Sequence, residues 1–184
     1  SEESPRNLAS ALKPMISNLR ELELSENILM DSLLTVIADL SYPDHPDRFG
    51  ISQVLCIEGL TGRHYWEAEC YMSSDIDVGV AYKSIPRQGD CSSEISLAGN
   101  EKAWSWNTTG CFYHNNYCQT FLKSDTCSIG IYLDWPAGVL SFFDVSRDAV
   151  THLYTVHTTF TEPLHPGFGL TSGSVCIKEK KIYK

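Results

Sequence analysis

Two apolar runs that flank a short corner place the strongest constraint on the fold. Residues 129–145 read IGIYLDWPAGVLSFFDV. In an extended chain Ile129, Ile131 and Leu133 share one face while a tyrosine occupies the other, and the second run alternates in the same way. Pro136 and the glycine two positions later favour a chain reversal over a continuous helix. The stretch therefore predicts a β-hairpin that is buried on both faces, inside a sandwich.

The chain from Ser41 onwards repeats this strand pattern. Short apolar segments recur at intervals of about 8 to 15 residues, with turn residues between them and without a second helical period. We predict strands at 53–57, 64–71, 76–82, 103–107, 111–114, 128–133, 139–145, 153–156, 167–169 and 174–178. Many short strands without alternating helices indicate an all-β fold, an antiparallel sandwich or barrel.

The first forty residues follow a different pattern. Leucines 19, 22 and 24 precede Ser25 and Asn27 in the spacing LxxLxLSxN, and apolar residues then recur at near-helical spacing up to Leu40. This is typical of one leucine-rich repeat, a short strand followed by a helix. An ordinary amphipathic helix over 25–40, with Ser25 as its N-cap, remains the alternative. In either case one repeat cannot bury its own apolar face, so either its leucines pack on the following domain or the segment is poorly ordered.

A loop rich in Pro and Asp, SYPDHPDRFG at 41–50, separates the two patterns. We therefore predict a leucine-rich repeat fragment at 1–40 and a β-domain at 41–184. The chain does not begin with Met, and we expect it to be a fragment of a longer protein.

Charge and cysteine content limit the partners. Fourteen Lys and Arg face 23 Asp and Glu, for a formal charge of −9, so we expect no nucleic-acid partner. No apolar run approaches the ~20 residues that span a bilayer, so we expect no membrane contact for this fragment. Seven cysteines without a CxxC pair favour reduced thiols in a cytoplasmic protein and no bound metal. The glycosylation pattern at Asn107 matters only if the chain is secreted.

Candidate catalytic groups do not form a known motif. His114, His152, His157 and His165 and the thiols are possible bases and nucleophiles. However, the chain contains no GxSxG, HExxH, P-loop or GxGxxG pattern. We therefore expect neither enzyme activity nor a cofactor.

Five ordered segments carry a resemblance to a known family. They are LTGRHYWEAEC (60–70), IDVGVAYKSI (76–85), NEKAWSW (100–106), the hairpin, and FTEPLHPGFGL (160–170). Together they resemble the SPRY half of a PRY-SPRY domain, whereas the strands of a PRY segment are not recognisable upstream. SYPDHPDRF, EGLTGR, LDWPAG and TTFTEPLHPGFG are most similar to the version at the C-terminus of fish NOD-like receptors and of stonefish-type pore-forming toxins. The upstream leucine-rich repeat favours the receptor.

The resemblance implies a bent antiparallel β-sandwich, a concanavalin-like jelly roll, that acts as a protein-interaction module. The expected context is the partner-binding domain of a NOD-like innate immune receptor in the cytoplasm. The C-terminal domain of a secreted pore-forming toxin subunit is the alternative. The identity of the partner protein does not follow from the resemblance.

Candidate contact residues are inferred from residue type and loop position, because aromatic and amide side chains suit recognition loops. For Trp106, burial in the core and contact with a ligand stand as equal alternatives, while Trp66 and Trp104 are expected in the core. The predicted partner-binding residues are Tyr71, Met72, Asp75, Trp106, Tyr113, His114, Asn115, Tyr117 and Trp135.

Overall fold

A computed structural model describes residues 49–56, 58–71, 75–121, 128–170 and 174–177. Within these ranges the chain forms eleven β-strands and one single-turn helix. The strands are β1 (Gln53–Leu55), β2 (Arg63–Tyr71), β3 (Ile76–Tyr82), β4 (Ala103–Asn107), β5 (Cys111–His114), β6 (Tyr117–Thr120), β7 (Ser128–Asp134), β8 (Val139–Val145), β9 (Val150–His157), β10 (Leu164–Leu170) and β11 (Ser174–Ile177); the helix is α1 (Ser92–Ile95).

The strands form two antiparallel sheets. Sheet A has six strands in the order β1-β10-β3-β4-β5-β6, and sheet B has five in the order β11-β2-β7-β8-β9. The sheets face one another around a single large apolar cluster. The predicted antiparallel sandwich is therefore confirmed. The predicted leucine-rich repeat fragment at 1–40 lies outside the described residues.

The hairpin at the centre of sheet B is buried on both faces, as its sequence predicts. Ile131 pairs with Phe142 and Leu133 with Leu140, and these side chains point into the inner core with Trp66. On the outer face a second cluster contains Tyr65, Tyr132, Phe143 and Val145, packed with the half-buried Val150. A strand pair that is buried on both sides needs apolar residues on both faces, which is why large apolar side chains occur at both phases of the alternation.

The outer face of sheet A is covered from within the described chain. The segment between β3 and β4 contributes Ile85 and Leu97, which pack with Phe49 and Leu55 over Ala81 and Ala103. The side chain of Gln53 secures this segment, because its amide donates to the carbonyl of Ile95 and accepts from the amide of Leu97. This long connection therefore forms a layer of its own outside the sheet.

Several strand boundaries differ from the prediction, most clearly those of β9 and β10. β9 begins at Val150, three residues before the predicted start. β10 begins at Leu164, three residues before the predicted start, and so includes Pro166. Proline cannot donate to the ladder, but its carbonyl accepts from the amide of Cys56 at 2.8 Å, so β10 pairs through it. The strand β6 lies in a segment for which we predicted no strand.

Candidate functional site

The strand pairings divide the predicted contact residues between two opposite ends of the sandwich. At one end the β2–β3 connection carries Tyr71 and Asp75, beside the turn that follows Asn107. At the other end lie the β5–β6 turn, the β7–β8 turn and the loop at 158–163. The nine predicted residues therefore do not form one surface. Met72 lies outside the described residues.

Trp106 is a core residue and does not contribute to either surface. Its side chain is 1% exposed and packs between the sheets, with its ring centroid 5.3 Å from Phe121 and 6.5 Å from Phe142. Of the two alternatives that the sequence left open, the structure shows burial. The physical reason is the period of β4, which places Trp104 and Trp106 on the same inward face.

A tight turn presents the β5–β6 hairpin. Asn115 and Asn116 have φ of 49° and 58°, the left-handed conformation that a two-residue type I′ turn needs and that asparagine tolerates. Their amides donate to the carbonyls of Asn100 and Gly99 at 3.2 and 2.8 Å. Tyr117 follows the turn and is 53% exposed, with its hydroxyl donating to Gln119. The turn is thus fixed to the body of the protein while Tyr117 projects from it.

His114 connects this turn to the core. Its ring stacks on Trp104 with the centroids 4.7 Å apart and the planes within 11°, and Nδ1 lies 2.8 Å from the carbonyl oxygen of Ala103. Trp104 also meets Phe160 edge to face at 5.5 Å. Phe160 belongs to the loop at 158–163, and Tyr82 accepts a hydrogen bond from the amide of Thr161 in the same loop. A continuous packed layer therefore joins the hairpin to that loop.

Trp135 is hydrogen-bonded to the 158–163 loop near its C-terminal end. Its indole N–H donates to the carbonyl of Glu162 at 2.9 Å, and its half-buried ring packs against the core. The Glu162 carboxylate accepts from Ser84 at 2.8 Å. Trp135 is therefore partly structural and not a free anchor at the hairpin tip. We define the hairpin-end surface as His114, Asn115, Tyr117 and Trp135, joined by the 158–163 loop.

The corner that carries Trp135 is closed by Asp134. Its carboxylate accepts from the amide of Ala137 at 3.1 Å and lies 3.5 Å from the Arg63 guanidinium. These are the two roles, turn cap and ion pair, that an acidic residue in this position most simply performs. Because Arg63 is exposed, the ion pair contributes little to stability and mainly orients the corner.

Tyr113 lies on the outer face of sheet A, beside two thiols of the same hairpin. It pairs across the strands with Cys118, and Cys111 shares its face. Burial, followed by hydrogen bonds to these thiols, raises the pKa of the Tyr113 hydroxyl. Burial alone would raise the pKa of Cys111, but hydrogen bonds with Thr120, Thr109 and Tyr113 lower it overall. Tyr113 is thus directed away from the hairpin-end surface.

The opposite end contains Tyr71 and Asp75. Tyr71 is 45% exposed, and the exposed Asp75 accepts from Asn107 Nδ2 at 2.9 Å. The same Nδ2 donates to Asp77, and Asn107 Oδ1 accepts from the amide and hydroxyl of Thr109. Asn107 is 5% exposed. Its amide is therefore inaccessible as a glycan acceptor once the domain has folded.

Burial gives Asp77 an unusual titration. Desolvation raises the pKa of its carboxyl to about 6, with the Asn107 hydrogen bond opposing the shift and the Asp75 charge adding to it. Below pH ~4 the group is neutral in both the folded and the unfolded chain. As the pH rises towards 6 the unfolded chain ionises first, so this group's contribution to stability is lost between pH ~4 and ~6.

We expect Asp77→Asn to remove the loss of stability that Asp77 causes as the pH rises. Relative to the parent, the variant should gain about 2 to 3 kcal/mol in free energy of unfolding between pH 4 and pH 7. Urea denaturation at several pH values measures the difference. Asp148→Asn, at an exposed turn position, should leave the pH profile of the parent unchanged. A constant difference between Asp77→Asn and the parent across this range would contradict the assignment.

Two of the candidate catalytic histidines, His165 and His152, are held by local contacts. His165 Nδ1 lies 3.0 Å from the carbonyl oxygen of Cys56, and His152 Nε2 lies 2.7 Å from the Thr155 hydroxyl. Burial lowers the pKa of His152 and raises the pKa of the Cys56 thiol to about 12. A thiol with this pKa is a poor nucleophile at neutral pH. The contacts of His165 and His152 are structural and account for the positions of these two side chains.

Neither a metal site nor a membrane-spanning helix is present in the described part of the chain. Among the described residues, no three His, Cys, Asp or Glu side chains lie close enough together to hold a metal ion. No helix in the described ranges has the length and apolar character to cross a bilayer.

Comparison with known proteins identifies several relatives. The model of the SPRY domain family matches residues 63–179. Neoverrucotoxin subunit alpha of Synanceia verrucosa is 44% identical over 138 residues, which cover 71% of this chain and 19% of that protein. Tripartite motif-containing protein 14 of Mus musculus is 33% identical over 142 residues, 73% of this chain and 32% of that protein.

Solved structures share the architecture. The crystal structure of the TRIM65 PSpry domain superposes with a TM-score of 0.69 at 26% identity, covering 76% of this chain and 75% of that one. The chain thus spans most of an isolated domain but only a fifth to a third of the relatives' full lengths.

Proposed function

Because this chain belongs to the SPRY domain family, whose members are generally protein-interaction modules, we propose that it binds another protein through the hairpin-end surface. The observation that carries this proposal is the position of Tyr117. It is the more exposed of the two large apolar side chains at the surface of the described residues, and it stands on a turn tied to the body by two backbone hydrogen bonds. A rigid exposed tyrosine loses little conformational entropy on binding.

Neighbouring side chains complete the surface. Asn115 offers an exposed amide beside Tyr117, and His114 and Trp135 supply half-buried aromatic area at the margins. Binding energy in protein interfaces concentrates in a few aromatic residues surrounded by near-neutral contacts. The hairpin-end surface has this composition, whereas Trp106 is removed from it by burial.

We expect Tyr117→Ala to weaken binding of the partner at least thirtyfold, the loss typical of an interface residue that contributes about 2 kcal/mol. Full-length chain on beads would capture proteins from a lysate, and quantitative mass spectrometry would compare the recovered proteins. The candidate partner would then be purified and its dissociation constant measured for the parent and the variant.

Tyr71→Ala provides the matched control. It removes a tyrosine of similar exposure from the opposite end, so binding of the partner should be unchanged. Both variants should retain the melting temperature of the parent, since both side chains lie at the surface. A purified partner that binds Tyr117→Ala as tightly as the parent, or that loses affinity with Tyr71→Ala, would reject the hairpin-end surface.

We further propose that the domain belongs to a cytoplasmic NOD-like innate immune receptor. The leucine-rich pattern at 19–40 directly upstream supports this context. Among the described residues, Cys56, Cys91, Cys111 and Cys118 are free thiols, which is in keeping with a reducing compartment. The coding sequence upstream of Ser1 tests the proposal, because further leucine-rich repeats are expected there.

A toxin subunit is the second candidate. The 44% identity to neoverrucotoxin subunit alpha favours it, since that protein is named as a toxin. The expected signs would be an upstream sequence similar to the toxin subunit and recovery of the protein from secreted material. Because Asn107 is buried, the absence of a glycan there would not distinguish a secreted toxin subunit from a cytoplasmic receptor. Fractionation of the source tissue with an antibody to this domain would separate them.

A further inference from the structure

We propose that the outer face of sheet B is the docking site for the leucine-rich segment at 19–40 of this same chain. The site is the outer cluster of Tyr65, Tyr132, Phe143 and Val145 with Val150 at its margin. In this arrangement the sandwich serves as the end cap of the leucine-rich region, an association separate from the hairpin-end surface.

The apolar side chains on the outer face of sheet B are buried. Phe143 is 0% exposed and Tyr132 is 4% exposed, although both point away from the core between the sheets. The apolar side chains grouped with them come from β2, β7, β8 and β9, which are all strands of sheet B. Neighbours in one sheet shield a side chain laterally but not from above. A face this apolar and this buried requires a covering layer.

The outer face of sheet A differs in that the residues covering it are described. Ile85 and Leu97 from the β3–β4 connection pack over it with Phe49. The corresponding cluster on sheet B contains no residue from a loop or a second layer within the described ranges. The cover of sheet B must therefore come from residues outside those ranges or from another molecule.

The N-terminal segment fits this requirement by composition and by length. Residues 19–40 place leucine and isoleucine on one face, which a single repeat cannot bury by itself. A helix over 25–40 would be about 24 Å long. The four strands that carry the cluster lie about 14 Å apart from first to last, at ~4.8 Å per strand. One such helix is long enough to cross the whole cluster.

The connection is also long enough. The described chain begins at Phe49, which packs on the outer face of sheet A. The eight residues at 41–48 span up to about 26 Å when extended. The two sheets of a sandwich lie ~10 Å apart, and a layer outside sheet B adds a similar spacing. The path of about 20 Å around the edge formed by β1 and β11 is therefore within reach of this connection.

A photo-crosslinking experiment on the whole chain tests the proposal. Val150→p-benzoylphenylalanine places the crosslinker at the margin of the cluster. After irradiation and digestion, we expect crosslinked peptides from residues 19–40 within one monomer. Tyr117→p-benzoylphenylalanine, on sheet A and at the opposite end of the sandwich from Val150, should give no crosslinks to this segment. Crosslinks from position 150 to a second copy, or none to residues 19–40, would overturn the proposal.

Hydrogen exchange gives an independent measurement. Ile37→Glu puts a charge on the apolar face of the segment and should make amides of β7 and β8 exchange about tenfold faster in the full chain. Thr35→Glu adds the same charge away from the apolar positions and should leave their exchange unchanged. Equal exchange in both variants, whether fast or slow, would also overturn the proposal.

Discussion

Trp106→Ala is expected to lower the free energy of unfolding by about 3 to 5 kcal/mol. The indole is 1% exposed, fills the space between the sheets and contacts Phe121 and Phe142. The vacated volume would be lined by apolar rings, which offer water no hydrogen-bond partners. The loss is comparable with the whole stability of many domains of this size. Urea denaturation followed by circular dichroism should therefore show a variant that is largely unfolded at 37 °C or close to it.

Trp106→Phe tests whether the effect comes from lost volume. It keeps most of the apolar contact, so it should cost clearly less than the alanine variant. An alanine variant with the parent's unfolding midpoint would contradict the position of Trp106 in the core. Because the variant is expected to unfold, loss of partner binding by Trp106→Ala would carry no information on the binding surface.

Gly138→Ala is expected to cost about 2 to 4 kcal/mol and to disturb the hairpin-end surface at the same time. Gly138 has a φ of 68°, and a Cβ there would lie 1.8 Å from the carbonyl oxygen of Thr158, which is a backbone atom. The Gly138 carbonyl also accepts from the Thr158 amide at 2.9 Å. The methyl group must displace the start of the 158–163 loop, which Trp135 and Phe160 join to the rest of the surface.

Gly62→Ala separates the cost of the positive φ from the cost of the clash with Thr158. Gly62 also has a positive φ, of 102°, but the nearest atom to an added Cβ is His64 Nε2 at 3.8 Å. This variant should show a conformational cost of about 1 kcal/mol without a clash. Thermal melts of the two variants, together with partner titration, give the comparison. Gly138→Ala with the melting temperature and affinity of Gly62→Ala would show that the contact with Thr158 is not important.

The sequence predicted the parts of the fold that follow from local alternation. The hairpin at 129–145 is apolar at both phases of the strand period, and the structure buries both faces. The resemblance to the SPRY domain rests on five ordered segments and is confirmed by the family match to residues 63–179. Trp66 and Trp104 lie in the core as expected. Such features depend on residue period and order, which a sequence displays directly.

The candidate surface was less predictable because it depends on contacts between distant segments. Nothing near Trp135 in the sequence indicates that its indole donates to Glu162, or that His114 stacks on Trp104. The separation of Tyr71 from Tyr117 follows only from the strand pairings. One local signal was available, since consecutive asparagines between apolar residues are typical of a type I′ turn and would have predicted the β5–β6 hairpin.

The stacking of His114 on Trp104 has a consequence for how such domains diversify. A change at His114 or Trp135 alters packing that the fold depends on, whereas Tyr117 can be exchanged without touching a buried atom. The adjacent turn needs only residues that accept a positive φ. Substitution at Tyr117 therefore changes the proposed binding surface while the packing that supports it stays the same.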